Sequence, residues 1–246
     1  MPSPALAARG VTVRFGGLVA VDEVDLAVGE RELVGVIGPN GAGKTTLFHA
    51  LSGVLAPSSG RLVVGGDDLT GKPPHVFAAH GVARTFQTPR VFRAMTAEQN
   101  VRFGLEFAGR RRANGHDALG SAAGILEFLG LGDAASVPAG GLTPARQRLL
   151  EIGMALGARP RILLLDEVAA GLTEAEVEAT AQLIRRVRDE LGLTVIWIEH
   201  AVRALMDCVE RVAVLHQGRK IADDLPELVA RDPAVVEAYL GEEVTA

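Results

Sequence analysis

The 246-residue sequence is short of several things, and each shortage closes a possibility. Cysteine comes first: Cys208 stands alone, which excludes an internal disulfide and a cysteine-built zinc site. Positive charge is not in excess, since 25 basic against 30 acidic residues leave a net charge of −5. Composition therefore gives no electrostatic case for nucleic acid as a partner. No apolar run approaches the ~18–20 residues that a membrane-spanning helix needs. The opening Met1-Pro2-Ser3-Pro4 lacks a basic stretch followed by an apolar one, so a secretory leader is not expected. No internal repeat is evident. The expectation is a soluble, cytoplasmic protein that meets a membrane only through a partner. What remains is an ordinary globular composition, 48% apolar and 22% charged, with enough chain for one large domain or a core with a subdomain.

The most informative stretch runs from Leu33 to Thr46, from an apolar segment through a glycine-rich turn into a helix-forming one. Gly38, Gly43, Lys44 and Thr45 stand at the spacing G-x-x-x-x-G-K-[ST]. Glycines there let the backbone turn so that several N–H groups point inward and form a concavity for an anion. The positive end of the following helix adds to that field. Lys44 is placed to reach the β- and γ-phosphates, and the Thr45 hydroxyl to take a place on Mg²⁺. The competing reading is a plain strand-to-helix turn with an exposed lysine. The flanking strand and helix are the context the motif requires, and they imply a nucleoside triphosphate ligand.

The rest of the chain alternates strands with helices. Val11–Phe15 and Val24–Val28 alternate in hydropathy on either side of Gly16-Gly17 and predict short strands. Phe15 has two readings, a core aromatic or a π-face for a nucleotide base. Leu47, Leu51 and Val54 predict one face of the helix after Lys44, ending at Gly53 or Pro57. A strand over Gly60–Asp67, a short helix from Pro74 to His80 and a strand over Val82–Gln87 follow. Thr96-Ala97-Glu98-Gln99 has the spacing of a capping box. Arg110-Arg111-Arg112 reads as a solvated run, and Ile125, Leu126, Phe128 and Leu129 as a helical stripe. Residues 88–158 thus read as a mostly helical insertion between strand-rich segments. Ile162–Leu165 is an apolar strand ending in Asp166-Glu167, two carboxylates that belong at the strand tip where open α/β sheets bind ligands. Asp166 is the natural Mg²⁺-side partner, and Glu167 suits orienting or deprotonating a water. A long helix from Glu174 to Glu190, closed by Gly192, leads to a second buried strand, Leu193–Ile198, tipped by Glu199-His200. Taken alone, His200 is more often structural than catalytic. Strands over Val209–Leu215 and Arg219–Ala222, then one closing helix from Pro226 to Leu240, complete an α/β fold with a largely parallel sheet.

These residues together resemble an ATP-binding cassette (ABC) subunit along essentially the whole chain. Gly38, Pro39, Asn40, Gly41, Ala42, Gly43, Lys44, Thr45 and Thr46 match the Walker A motif, and Ile162–Glu167 match Walker B with the catalytic glutamate. Gln87 matches the Q-loop glutamine that senses Mg²⁺ and the attacking water, His200 the switch histidine, and Phe15 the aromatic that stacks on adenine. The resemblance implies a P-loop NTPase with a RecA-like core, an N-terminal antiparallel β subdomain and an inserted helical subdomain. Within one ABC domain spanning 1–246, it implies core and β subdomain over 1–87 and 159–246, and the helical subdomain over 88–158. It implies ATP and Mg²⁺ as ligands. Arg84–Phe92, Met95-Thr96, Asn100, Ala169–Leu172 and Ala238–Gly241 resemble ATP-binding subunits of branched-chain amino acid importers. Urea and amide importers share much of that pattern, and soluble ABC switches are a further alternative.

The chain departs from the family at its signature, LSGGQ, where it reads Leu142-Thr143-Pro144-Ala145-Arg146. Thr143-Pro144 suits the start of a helix, but Pro144 offers no N–H to a phosphate and Ala145 adds a Cβ where glycine allows close approach. Arg146 is a possible charged donor in their place. Val168 replaces a proline, and Thr173 stands at the D-loop aspartate. The resemblance then implies a dimer with a second ATP-binding subunit, heterodimeric more than homodimeric, in which the site using this signature turns over poorly. It also implies permease subunits, contacted through the Arg90, Val91, Phe92 and Met95 segment, and indirectly an external solute-binding protein. The subunit would lie on the cytoplasmic face of the inner membrane.

Overall fold

The computed structural model describes residues 4–107, 119–199 and 202–243. The chain first runs through β1 (Leu6–Phe15), β2 (Leu18–Val28), β3 (Leu33–Ile37), α1 (Lys44–Leu51), β4 (Ser59–Val64), β5 (Asp67–Asp68), α2 (Pro74–Ala79) and β6 (Val82–Arg84). Three helices follow, α3 (Ala97–Phe107), α4 (Ala122–Phe128) and α5 (Pro144–Gly157). The remainder is β7 (Ile162–Asp166), α6 (Glu174–Leu191), β8 (Thr194–Ile198), α7 (Val202–Met206), β9 (Arg211–His216), β10 (Arg219–Asp224), α8 (Pro226–Val229) and α9 (Pro233–Glu243).

Two sheets result. An antiparallel one has the order β2-β1-β4-β5, and a second has the order β10-β9-β3-β8-β7-β6. In the second, β9, β3, β8, β7 and β6 pair in parallel and only β10 joins antiparallel. Its central strands read as unbroken apolar runs because both of their faces are covered. Side chains alternate between two cores with the two-residue period of a strand. Val34, Val36, Leu164, Ile196 and Ile198 pack with the antiparallel sheet and α1, while Leu33, Ile37, Leu163, Leu165, Val195 and Trp197 pack with the helices. The parallel sheet is therefore the middle layer, and its strands all end on one side.

Helix ends follow their capping chemistry. The Thr96 N–H donates to Gln99 Oε1 at 2.9 Å and the Gln99 N–H returns to Thr96 Oγ1 at 3.2 Å, so the predicted capping box opens α3. Thr173 and Glu176 form a second box at the start of α6, which closes on Gly192 at φ 66°.

Three expectations need correction. The helix after Lys44 stops at Leu51 and leaves Val54 outside it, 49% exposed. Gly53 turns left-handed at φ 71°, in a space where a Cβ would meet the Phe77 ring at 2.4 Å. The strand predicted over Val82–Gln87 ends at Arg84. Thr85 makes one more sheet contact, its N–H donating to Leu164 O at 2.9 Å, before the chain turns away. The closing helix is two helices, because Pro233 cannot continue α8 and starts α9 at its first position. Asp232 caps that start by accepting the Ala234 N–H at 2.8 Å. Arg110-Arg111-Arg112 lies outside the described residues. Among the described residues no helix is long and apolar enough to cross a membrane.

Candidate functional site

The glycine-rich turn sits at the carboxyl end of β3, between β8 and β9. Its shape demands glycine at two places. A Cβ on Gly38 would lie 2.1 Å from Leu215 O, and one on Gly43 would lie 2.3 Å from Ala20 O. Gly43 is the N-cap of α1 with no side-chain cap, and the first turn of α1 holds no acidic residue. The helix therefore presents N–H groups and the positive end of its dipole to whatever the turn encloses. Lys44 is buried, and its ammonium donates to Gly38 O at 2.6 Å and Pro39 O at 2.8 Å. Asn40 and Gly41 are exposed at the rim, Ala42 is packed beneath, and Thr45 and Thr46 stand half-buried in the first turn. The arrangement fits a phosphate chain.

Two strands away, across β8, β7 ends on Asp166, only 1% exposed. Its Oδ2 accepts from Arg84 Nη2 at 3.1 Å, and its own N–H donates to Thr85 Oγ1 at 3.1 Å. Burial pushes the Asp166 carboxyl above the usual range, Arg84 pulls it back, and Glu167 pushes it up again. Asp166 Oδ1 is buried without a hydrogen-bond partner. An orphaned carboxylate oxygen beside a phosphate cradle is what a divalent cation would satisfy, so Asp166 and Thr45 fit Mg²⁺. Among the described residues no three His, Cys, Asp or Glu side chains gather as a metal centre, so such an ion needs phosphate or water oxygens as well.

Glu167 follows in a left-handed conformation, φ 50°, unusual for a residue with a Cβ. Its hydrogen bonds hold it there, among them the Ala170 N–H donating to its carbonyl at 3.2 Å. Its N–H donates to Ile198 O at 3.0 Å, its carbonyl accepts from Arg148 Nη1 at 2.5 Å, and its Oε2 accepts from Gln87 Nε2 at 2.6 Å. The structure thus brings Gln87 and Glu167 together across 80 residues of sequence. Phe15 lies at the end of β1 and is 49% exposed, which removes the core-aromatic reading and leaves its ring face open. The hairpin that carries Phe15 continues into β2, whose Ala20 carbonyl abuts Gly43. His200 lies outside the described residues; Glu199 before it is buried and accepts the Ala169 N–H at 2.9 Å, securing the turn after Glu167.

The Leu142–Arg146 stretch is a well-made helix start. Leu142 is buried, Thr143 Oγ1 accepts the Arg146 N–H at 3.3 Å, and Pro144 occupies the first position of α5. The Arg146 guanidinium grips both Asp133 oxygens, at 2.7 and 2.9 Å, and holds that carboxyl below its ordinary range. Its charge is thus already matched within the chain.

Arg84, Arg148 and Glu151 were missed by sequence reasoning. Glu151 had a visible signal, a lone acid between Leu150 and Ile152 on a helix whose neighbours are buried. It is 5% exposed and accepts N–H groups from Arg90, at 3.0 Å, and Phe86. Burial raises its pKa to about 7. Phe86 itself is flanked by guanidinium groups, Arg84 at 4.8 Å and Arg90 at 4.2 Å from the ring centroid.

The family model described as ABC transporter matches residues 21–170, and that described as branched-chain amino acid ATP-binding cassette transporter matches residues 219–245. The chain is 41% identical to the high-affinity branched-chain amino acid transport ATP-binding protein BraF of Pseudomonas aeruginosa, over 98% of this chain and 100% of that protein. It is 40% identical to the protein LivG of Escherichia coli K12, named likewise, with the same coverage. A solved ATP-binding cassette of an ABC transporter, in its ADP conformation, superposes with a TM-score of 0.85 at 29% identity, over 98% of this chain and 100% of that one.

Proposed function

Because this chain belongs to the ABC transporter family of ATP-binding cassettes, we propose that it is the ATP-binding and hydrolysing subunit that energises an importer of branched-chain amino acids. The observation that carries the chemistry is the juxtaposition of a phosphate-shaped turn holding Lys44, an orphaned Asp166 oxygen, and Glu167 poised one residue on. Gly38 to Thr46 enclose the phosphates, with Lys44 exchanging its loop carbonyls for phosphate oxygens. Phe15 stacks on the base. Thr45, Asp166 and Gln87 would hold Mg²⁺, which when bound would neutralise phosphate charge. Glu167 takes the proton of the attacking water as the water oxygen bonds to the γ-phosphorus and the bond to the β–γ bridging oxygen breaks. Gln87 lets go of Glu167 to allow this, and His200, which matches the switch histidine in sequence, contributes to the same step.

The signature stretch, Leu142 to Arg146, faces the nucleotide of a second ATP-binding subunit. Pro144 lacks an N–H, Ala145 adds bulk, and Arg146 is engaged by Asp133. The site that uses this stretch is therefore the weaker one, and a heterodimer with an intact signature is the functional pairing. Phe92, Met95 and Phe103 are exposed apolar side chains, and Arg90 precedes Phe92 by two residues. Phe92 and Phe103 stack edge to face at 4.7 Å and form the surface for the permease subunits, which receive solute from an external binding protein. The subunit works at the cytoplasmic face of the membrane.

ATP turnover by the purified chain, with Glu167→Gln as control, tests this reading. Turnover that is negligible alone and appears when a second ATP-binding subunit is added supports it. Ordinary transporter-level turnover by the chain alone overturns the pairing, and no turnover in any assembly overturns the hydrolytic role.

A further inference from the structure

Helix α5 touches Glu167 and the loop that carries Gln87, although neither residue belongs to it. Arg148 and Glu151 lie three residues apart, on one face of the helix. Arg148 donates to the carbonyl of Glu167 at 2.5 Å. Glu151 accepts the N–H groups of Phe86 and Arg90, which bracket Gln87 on either side. Gln87 in turn donates to Glu167 at 2.6 Å, so the contacts close into a ring: α5, Glu167, Gln87, the loop from 86 to 90, and α5 again. The ring is polar and part-buried: Glu151 and Glu167 are buried, Arg148 is half-buried, and Gln87 and Arg90 reach the surface. A lost partner is costly at its buried end.

We propose that Arg148 and Glu151 are positioning residues, which set Glu167 and Gln87 relative to each other from the shared frame of α5. The proposal rests on the reading of Glu167 and Gln87 as the groups that act on water. Glu167 sits in a strained left-handed backbone, and its carbonyl fixes the peptide plane after it; Arg148 holds that carbonyl from α5, together with the Ala170 N–H of the following turn. Gln87 is on an irregular segment with no sheet pairing of its own, and Glu151 supplies the backbone anchors that a strand would otherwise supply. The same helix begins at Thr143, so a displacement of its first turn by a second subunit would act on both anchors together. Neither residue touches the phosphate turn in this arrangement, so their effect falls on turnover and not on nucleotide affinity.

Two measurements on the full-length chain test the proposal. The first is hydrogen exchange of the segment 85–92 in Glu151→Ala and Glu151→Gln, with thermal unfolding as a check on folding. Exchange at Phe86 and Arg90 about tenfold faster than in the wild type, in a variant that still folds cooperatively, is expected. The isosteric Glu151→Gln keeps the test open should the alanine variant not fold. Unchanged exchange at both amides overturns the clamp. The second is steady-state ATP turnover in the assembly with a second ATP-binding subunit. Arg148→Ala and Glu151→Ala should lower kcat about 10- to 100-fold with KM for ATP little changed, and Arg148→Lys should recover much of the loss. A rise in KM in step with the fall in kcat, or no recovery by lysine, overturns positioning. A wild-type assembly without turnover would defeat the hydrolytic reading instead, and the exchange measurement alone would then decide the clamp.

Discussion

The two stretches that the proposed function sets against nucleotide, the turn at Gly38–Thr46 and the helix start at Leu142–Arg146, are built to opposite tolerances. In the first, backbone carbonyls of Ala20 and Leu215 press against Gly43 and Gly38, so closely that no Cβ fits. In the second, the local requirements are those of any helix N-terminus: a hydroxyl at the cap, a proline at the first position and a surface ion pair. The first stretch cannot vary without losing its shape. The second has changed residue types, to Pro144 and Ala145, and still caps its helix. Good local structure therefore says little about whether the signature still serves a phosphate, whereas in the turn, shape and ligand are the same requirement.

The largest effect should come from Gly38→Ala. Its Cβ would need the Leu215 carbonyl to move, and that carbonyl belongs to the central sheet. A loss of about 4 kcal/mol or more, or failure to accumulate as folded protein, is expected in denaturant titrations. Gly41→Ala has open space around its Cβ and only a positive φ to contend with, so about 1–2 kcal/mol is expected. Equal losses would erase the contrast between a packed and an open part of the same turn. Next comes Glu167→Gln, which keeps the side-chain shape but cannot accept a proton. Turnover should fall about 10²- to 10⁴-fold with nucleotide affinity retained. Parallel loss of affinity would make Glu167 a structural residue.

What was legible in the sequence is what neighbouring residues decide. The phosphate turn, the Asp166-Glu167 strand tip, the Thr96–Gln99 capping box and the Gly192 cap lie within a few residues of the chain, and short unbroken apolar runs marked the buried strands. The Pro233 break was equally local and still missed, although a proline inside a run from Pro226 to Leu240 is the signal that a helix stops and another starts. The ends of α1 and β6 depended on tertiary context: Phe77 against Gly53, and Asp166 against Thr85. Arg84 with Asp166, Arg148 with Glu167 and Glu151 with Arg90 are separated by 82, 19 and 61 residues. No spacing rule reaches such pairs, so the frame around the site had to come from the fold.

A smaller effect, with a definite sign, belongs to Glu151. Its pKa rises from 4.5 to about 7 on folding, chiefly through burial, against the pull of backbone N–H groups and of Arg148 and Arg90. Between those values the folded chain keeps a proton that the unfolded chain has released. The stabilisation is complete below pH 4.5 and is lost as the pH rises through about 7. At ~1.4 kcal/mol per unit, this one group should weaken the fold by about 3 kcal/mol across that window. Glu151→Gln is uncharged throughout and should flatten the slope by that amount in denaturant titrations at a series of pH values. Identical slopes for the two proteins would mean that Glu151 titrates as an exposed acid does.

The smallest effect on the fold tests the comparison most sharply. Thr143→Ala removes the cap and should cost about 1 kcal/mol, as it would at any helix. Replacing Pro144 and Ala145 together by glycine restores an N–H and a close approach, at a cost of about 1–2 kcal/mol in helix propensity. If those two residues weaken the signature, the double variant should turn over ATP faster in the two-subunit assembly while being slightly less stable alone. The expected gain is about twofold, because a second site would join one already working. Removing Arg146 as well would free Asp133, whose carboxylate would then stand near incoming phosphates, so Arg146 is better kept in that variant. Unchanged turnover in the double variant would mean that a sound helix start is all the signature has to supply, and the two stretches would then differ in tolerance without differing in competence.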